Sequence, residues 1–323
     1  MEDKQAITIE EIKARHSLSI TDILLILVAV IWGLNYVIAK ISLKEMDPLL
    51  FNSLRFVIGA MTCWLLVFVR EKDISINRTQ FWKLILFGIF IHGMNQITFI
   101  YGVSKTTAAA TSIILASTPV WVALMASLLK LEKNNLSTWI GIIISFIGVT
   151  VVVISSGLGH NSSGASVYGN ILVVIATFFW SLYTITIRMW FKDLSPIKVT
   201  AYSLSFAALF FVTISFNQII QAEWEQFSLN AWGGVLFSGV FVFGISYMLW
   251  NSGIKKVGPT RTSIYANLPP FVSAVAGWLL LNERITAVQI LGGVMIIIGL
   301  RCAAKAKESP AVKVGCQQRI NGR

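Results

Sequence analysis

Apolar runs of about twenty residues, separated by short polar stretches, recur from one end of the chain to the other. They are too long and too continuous for the alternating strands of a barrel. A helix of that length crosses a ~30 Å hydrocarbon layer, and a helix satisfies its own backbone where lipid offers no hydrogen bonds. Ten spans are expected. The first half gives Ile20–Ala39, Leu49–Val69, Phe81–Tyr101, Thr107–Leu129 and Leu136–Ile154, and the second gives Tyr168–Ile187, Val199–Phe216, Asn230–Trp250, Thr262–Leu281 and Thr286–Leu300. The predicted fold is all-α and integral to a membrane.

The pattern occurs twice. Tyr101–Glu132 has a copy at Ser252–Glu283, displaced by 151 residues, in which Gly102 falls on Gly253, Thr111-Ser112-Ile113 on Thr262-Ser263-Ile264, Pro119 on Pro270 and Glu132 on Glu283. The register extends to Gly88/Gly239, Gly93/Gly244, Gly141/Gly292 and Gly148/Gly299, and near the start of each copy the displacement becomes 148, pairing Trp32 with Trp180 and Pro48 with Pro196. The chain therefore divides into a polar tail (1–19), a five-span repeat (20–154), a Gly/Ser-rich linker (155–167), a second five-span repeat (168–302) and a basic tail (303–323). Five is odd, so the second copy is expected upside down relative to the first. Inverted repeats of this kind recur in secondary transporters, with the substrate site near the midplane between the halves.

Composition agrees with a membrane location: 55% of residues are hydrophobic and 13% charged, and the mean hydropathy is +0.73. A net charge of +11 raises the question of nucleic acid, which its distribution answers. Polar segments on the N-terminal side of the spans hold 21 Lys and Arg, the opposite segments only Lys40, Lys44, Lys105 and Arg284. That is the positive-inside pattern: it places both termini in the cytoplasm and the linker outside, and leaves lipid headgroups rather than nucleic acid as the partner of the basic face. The N-terminal tail, with Glu2, Asp3, Glu10 and Glu11, does not read as a cleaved signal. Asn161-Ser162-Ser163 matches a glycosylation acceptor, as chance matches often do.

Local motifs add a resemblance. Trp32-Gly33-Leu34-Asn35-Tyr36, the Asp47-Pro48 turn followed by Leu54-Arg55-Phe56, the Thr118-Pro119 step, Leu131-Glu132 and Leu281-Asn282-Glu283-Arg284 together resemble the drug/metabolite transporter superfamily, in its ten-helix EamA-type branch. The resemblance implies inverted five-helix repeats around a central cavity and export or exchange of small metabolites, often amino acids. It leaves the substrate open. The second copy departs from the pattern, with Ser181 after Trp180 and Ser203 at the place of Arg55.

The candidate substrate-binding residues are polar or aromatic positions within spans: Trp32, Asn35, Tyr36, Arg55, His92, Asn95, Gln96, Ser112, Trp180, Tyr183, Tyr247, Trp250, Ser263 and Asn267. Each has a plainer alternative. Serines and threonines bond their own helix carbonyls, aromatics sit at the lipid interface, and the paired glycines let helices pack closely. Pro119 and Pro269-Pro270 should kink their helices, while Glu132 and Glu283, at span ends, read as helix caps or loop ion pairs. Arg55 lies about 10 Å below the Pro48 turn, where a charge either snorkels or faces a cavity to hold an anion. His92 is the deeply placed group that titrates near neutral pH, either a neutral hydrogen-bond donor or a proton carrier. All fifteen acidic residues fall in tails, loops or span ends, and the three histidines and three cysteines are scattered, so no metal site, cofactor site or nucleophile–base pair is expected and an intramembrane enzyme is disfavoured. The expected partners are a small-molecule solute and lipid, with a homodimer left open.

Overall fold

The computed structural model describes residues 19–71, 73–131, 136–155 and 164–305. The N-terminal tail, Glu132, the Asn161 acceptor, most of the linker and the basic C-terminal tail lie outside them. Every regular element described is helical. Among the described residues nine helices are long and apolar enough to cross a membrane: α1 (Ile20–Ser42), α2 (Pro48–Arg70), α3 (Arg78–Lys105), α4 (Ala108–Leu128), α5 (Leu136–Ser155), α6 (Val167–Trp190), α7 (Pro196–Ile214), α8 (Leu229–Val257) and α9 (Pro259–Leu281). The tenth expected span is α10 (Ala287–Lys305). Its apolar part, Ala287–Cys302, rises only about 24 Å at 1.5 Å per residue, short of a ~30 Å layer.

Polar residues set the helix starts. Ser19 and Asp22 form a reciprocal capping box at α1, and Asn77 and Gln80 repeat it at α3. Asp47 accepts the amides of Leu49 and Leu50, just ahead of a proline that has no N–H to satisfy. At the other end of a span, hydropathy marks the lipid boundary rather than the helix end. Thus α8 runs past Trp250 through Asn251, Lys255 and Lys256, and stops only at Gly258, whose φ of 86° turns the chain into α9.

Helix contacts come in corresponding sets. α1 packs on α9 as α6 packs on α4, α2 on α8 as α7 on α3, and α3 on α6 as α8 on α1, while α2 with α7 and α5 with α10 each pair across the two repeats. The α5–α10 pair stands on glycine. A Cβ on Gly148 would lie 2.7 Å from the Gly292 carbonyl oxygen, and one on Gly292 2.8 Å from that of Gly148. In lipid, such close backbone approach and its dispersion contacts hold helices together.

Four helices are irregular, at matching places in the two repeats. α4 is broken into Ala108–Leu115 and Thr118–Leu128 around Ala116-Ser117. α9 is broken by a 3₁₀ turn, Ile264–Asn267, before it restarts at Pro269. These are the sites of Pro119 and Pro269-Pro270, whose rings exclude a continuous ladder. The π-helical segments Phe87–His92 of α3 and Ser238–Ser246 of α8 were not legible in the sequence. They fall at the twin glycines, where α3 meets α7 and α8 meets α2: a Cβ on Gly88 would reach 2.7 Å from the Ser203 carbonyl oxygen, and one on Gly239 would strike Ile58. A widened turn re-aims the side chains beyond it, here toward the interior.

Candidate functional site

α1 brings Trp32, Asn35 and Tyr36 to the middle of the bundle, spaced so that all three share one face. α2 adds Arg55, α3 adds Asn95, Gln96 and Phe99, and α6 adds Trp180. Val242, Phe243 and Tyr247 come from α8, and the two helix breaks contribute Leu115 and Thr118 on one side and Ala266 on the other. Together these residues enclose a cavity of about 60 Å³.

Arg55 anchors its polar side. It is 1% exposed; its Nε donates to Asn52 Oδ1 and its Nη2 to Gln96 Oε1, both at 2.7 Å. Its guanidinium carbon lies 4.8 Å from the centre of the Phe243 ring and 5.0 Å from that of Phe51. The charge has not snorkelled; oriented acceptors and ring faces hold it in place. From Gln96 the network continues, its Nε2 donating to Asn95 Oδ1 at 2.8 Å and to the Tyr247 hydroxyl at 3.0 Å. Asn95 Nδ2 donates to the Ala176 carbonyl, and Asn52 Nδ2 to that of Gln96. Four helices are thereby fixed around one cation.

The rest of the wall is aromatic. Trp32 meets Trp180 edge-on at 5.3 Å and Tyr247 at 6.2 Å. Asn35 Oδ1 accepts from Ser238 Oγ at 2.6 Å. The Trp32 indole N–H has no acceptor among the described residues. The wall thus offers donors and ring faces, and no carboxylate.

Of the residues singled out from sequence, Trp32, Asn35, Tyr36, Arg55, Asn95, Gln96, Trp180 and Tyr247 line this cavity. Six others lie behind it or apart from it. Tyr183 stacks beneath Trp180 at 4.9 Å and hydrogen-bonds Asn251. Trp250 backs Trp32 at 4.8 Å. His92 is wholly buried against Tyr247, Phe56 and Tyr183, at 5.0, 5.0 and 5.2 Å, and neither nitrogen has a hydrogen-bond partner among the described residues. Ser112, Ser263 and Asn267 turn back onto carbonyls of their own helices, those of Ala109, Thr260 and Ile264. A buried hydroxyl one turn from a free carbonyl satisfies itself there. The wall residues that sequence reading passed over are Phe99, Leu115, Thr118, Val242, Phe243 and Ala266. Two signals were available for some of them. Leu115, Thr118 and Ala266 sit within five residues of the span prolines, and Phe99 and Phe243 lie one helical turn from Gln96 and Tyr247.

With this geometry in hand, comparison with known proteins is decisive at the family level. The EamA-like transporter family matches residues 19–154 and again 167–304. The chain belongs to this family. It is 25% identical over 279 residues to the uncharacterized transporter YoaV of Bacillus subtilis, covering 85% of this chain and 94% of that one. An uncharacterized transporter of Archaeoglobus fulgidus is 26% identical over 278 residues, 86% of this chain and 96% of its own. One from Acidianus ambivalens is 28% identical over 250 residues, 77% and 87% of the two chains. A solved crystal structure with 17% identity superposes with a TM-score of 0.67, covering 90% of this chain and all of the other, which speaks to the fold alone. The protein is a multi-pass membrane transporter of the EamA-like family.

Proposed function

We propose that this EamA-like transporter exports small anionic or zwitterionic metabolites across the plasma membrane by alternating access, amino acids being the best single assignment. The observation that carries the substrate class is the cavity wall itself, where Arg55 is the charged residue, neutral donors surround it and no carboxylate is present. A lipophilic cation would meet an uncompensated guanidinium there, at a cost of several kcal/mol in a low dielectric. A carboxylate would take the guanidinium N–H groups that Asn52 and Gln96 leave free, and the aromatic faces suit an apolar or ammonium-bearing body.

Two inverted halves are the proposed machinery. The exchanged contact pairs support a two-fold relation between the repeats, and broken α4 and α9 meet at one cavity, as discontinuous helices do in many transporters. Membrane orientation rests on the 21-to-4 distribution of Lys and Arg, which puts both termini inside. Uncoupled facilitation or exchange is the second reading. It is favoured by His92, which the cavity does not reach and which has no hydrogen-bonded partner to pass a proton to among the described residues. A resistance screen tests the substrate class: cells overproducing the chain should survive toxic amino-acid analogues. Resistance to lipophilic cations alone would reject the assignment.

A further inference from the structure

A cavity of about 60 Å³ is a small fraction of the ~300–1,000 Å³ that small-molecule sites usually offer. It has to widen before a metabolite enters or leaves, and one part of its wall is a helix broken in two. The first piece of α4, Ala108–Leu115, ends at the Ala116-Ser117 break, and the flanking residues Leu115 and Thr118 both face the cavity. Its opposite end is held by a residue far away in sequence. Glu283, in the turn after α9, accepts Lys40 Nζ at 2.7 Å on one oxygen. Its other oxygen accepts the N–H groups of Ala108 and Ala109 at 2.9 and 3.4 Å. Lys40 Nζ also donates to the Thr106 carbonyl at 2.5 Å. Farther along, Ser273 Oγ of α9 donates to Ser112 Oγ at 2.7 Å.

Three helices therefore converge on one ion pair: α1, which carries Trp32, Asn35 and Tyr36; the first piece of α4; and α9. The pair is well shielded, its side chains 23% and 11% exposed, so water and salt weaken it less than a surface pair. The carboxylate also faces the free amides and positive dipole end of α4. Glu283 is itself fixed, because Asn282 takes a left-handed φ of 54° and the Glu283 N–H returns to the Gly277 carbonyl at 3.1 Å. The held piece, Ala108–Leu115, is buried along its whole length, and the Glu283–Lys40 pair and Ser273 are the polar contacts that tie it to α1 and α9.

We propose that Glu283, acting through Lys40 and the first turn of α4, is the latch that keeps the outer mouth of the cavity closed. Its release lets Ala108–Leu115 turn about Ala116-Ser117. Glu283 is a positioning residue and touches no solute. The assignment rests on the alternating-access reading and on the orientation given above, and deepens both; its test needs no knowledge of the substrate.

Leu115→Cys places a thiol in the cavity wall, and its modification by a membrane-impermeant maleimide added outside right-side-out vesicles reports the outer opening. The chain without Leu115→Cys supplies the background from the native cysteines. Lys40→Gln leaves Glu283 capping α4, and Glu283→Gln keeps an acceptor for the same amides, so the fold has support in either variant. Each is expected to speed labelling about tenfold, and the double variant no further than the faster single, because both remove one interaction. Gly148→Leu, which disturbs the distant α5–α10 contact, controls for general loosening and should leave the rate unchanged. An unchanged rate in Lys40→Gln overturns the proposal, as does an equal acceleration in Gly148→Leu. Failure to transport amino acids would refute the substrate assignment while leaving the labelling result intact.

Discussion

Arg55→Met separates binding from folding. In the folded chain the change removes two charge-assisted hydrogen bonds and leaves Asn52 Oδ1 and Gln96 Oε1 buried without their donors, at about 1–3 kcal/mol each. It also removes a cation from the membrane interior, where insertion scales set the cost of arginine at about 2.5–3.5 kcal/mol. Replacing a buried ion by an apolar side chain of similar volume is often near neutral in sum. The opposing terms are of similar size, so the midpoint of thermal unfolding should move by only a few degrees. Solute binding has no such offset, since no second cation lines the cavity. Two charged hydrogen bonds to a carboxylate, at about 1.5–3 kcal/mol each, amount to roughly a hundred- to ten-thousand-fold in affinity. Arg55→Lys keeps the charge without the planar fork and should fall between the two. The assay is uptake of a labelled amino acid into proteoliposomes, read as KM, beside thermal unfolding of the same preparations. An unchanged KM in Arg55→Met, or a loss of transport merely proportional to lost folded protein, would refute the assignment of Arg55 to the solute.

Other consequences are open to direct measurement. Gly148→Leu forces a side chain against the Gly292 carbonyl and should cost at least about 1–3 kcal/mol of stability, seen as a lower thermal midpoint with KM unchanged. His92→Phe copies Phe243, the matching residue of the second repeat; the transport rate should keep the wild-type profile between about pH 5 and 8, and a flattened profile would make His92 a proton carrier. A cysteine introduced at Ser162 should react only with impermeant reagent added outside, and labelling only from inside would overturn both the orientation and the inverted arrangement. Glu45 is held below the usual carboxylate range by the N–H and hydroxyl of Ser228. A depressed folded-state pKa gives stability that is present above the unfolded value and lost as pH falls through the folded one. The protection factor of the Ala231 amide at the start of α8, taken against the intrinsic exchange rate at each pH, should therefore fall in acid, and a protection factor indifferent to acid would show that the contact is unimportant.

The architecture was legible because lipid makes it so. Backbone groups must be satisfied within each segment, so run length alone announces a spanning helix, and the 151-residue echo from Tyr101–Glu132 to Ser252–Glu283 announces two matching halves. Prolines at 119, 269 and 270 marked the broken helices for an equally local reason, the missing N–H. Arg55 stood out because a charge within an apolar run needs a partner wherever it ends up. Hydropathy could not foretell the π segments, because one extra residue in a turn leaves the apolar run intact while rotating every later side chain of the helix. Nor could it separate wall from backing. Trp32 and Trp250 look alike in sequence, yet Trp32 lines the cavity and Trp250 stands behind it. Ser112, Ser263 and Asn267 are polar within spans and find acceptors on their own helices, whereas Phe99, Leu115 and Ala266 carry no polar group and form the wall. Local chemistry decides which segments are helices and which side chains need partners. Only the packing of helices distant in sequence decides which of those partners is a neighbouring helix and which positions are left facing the space between the two halves.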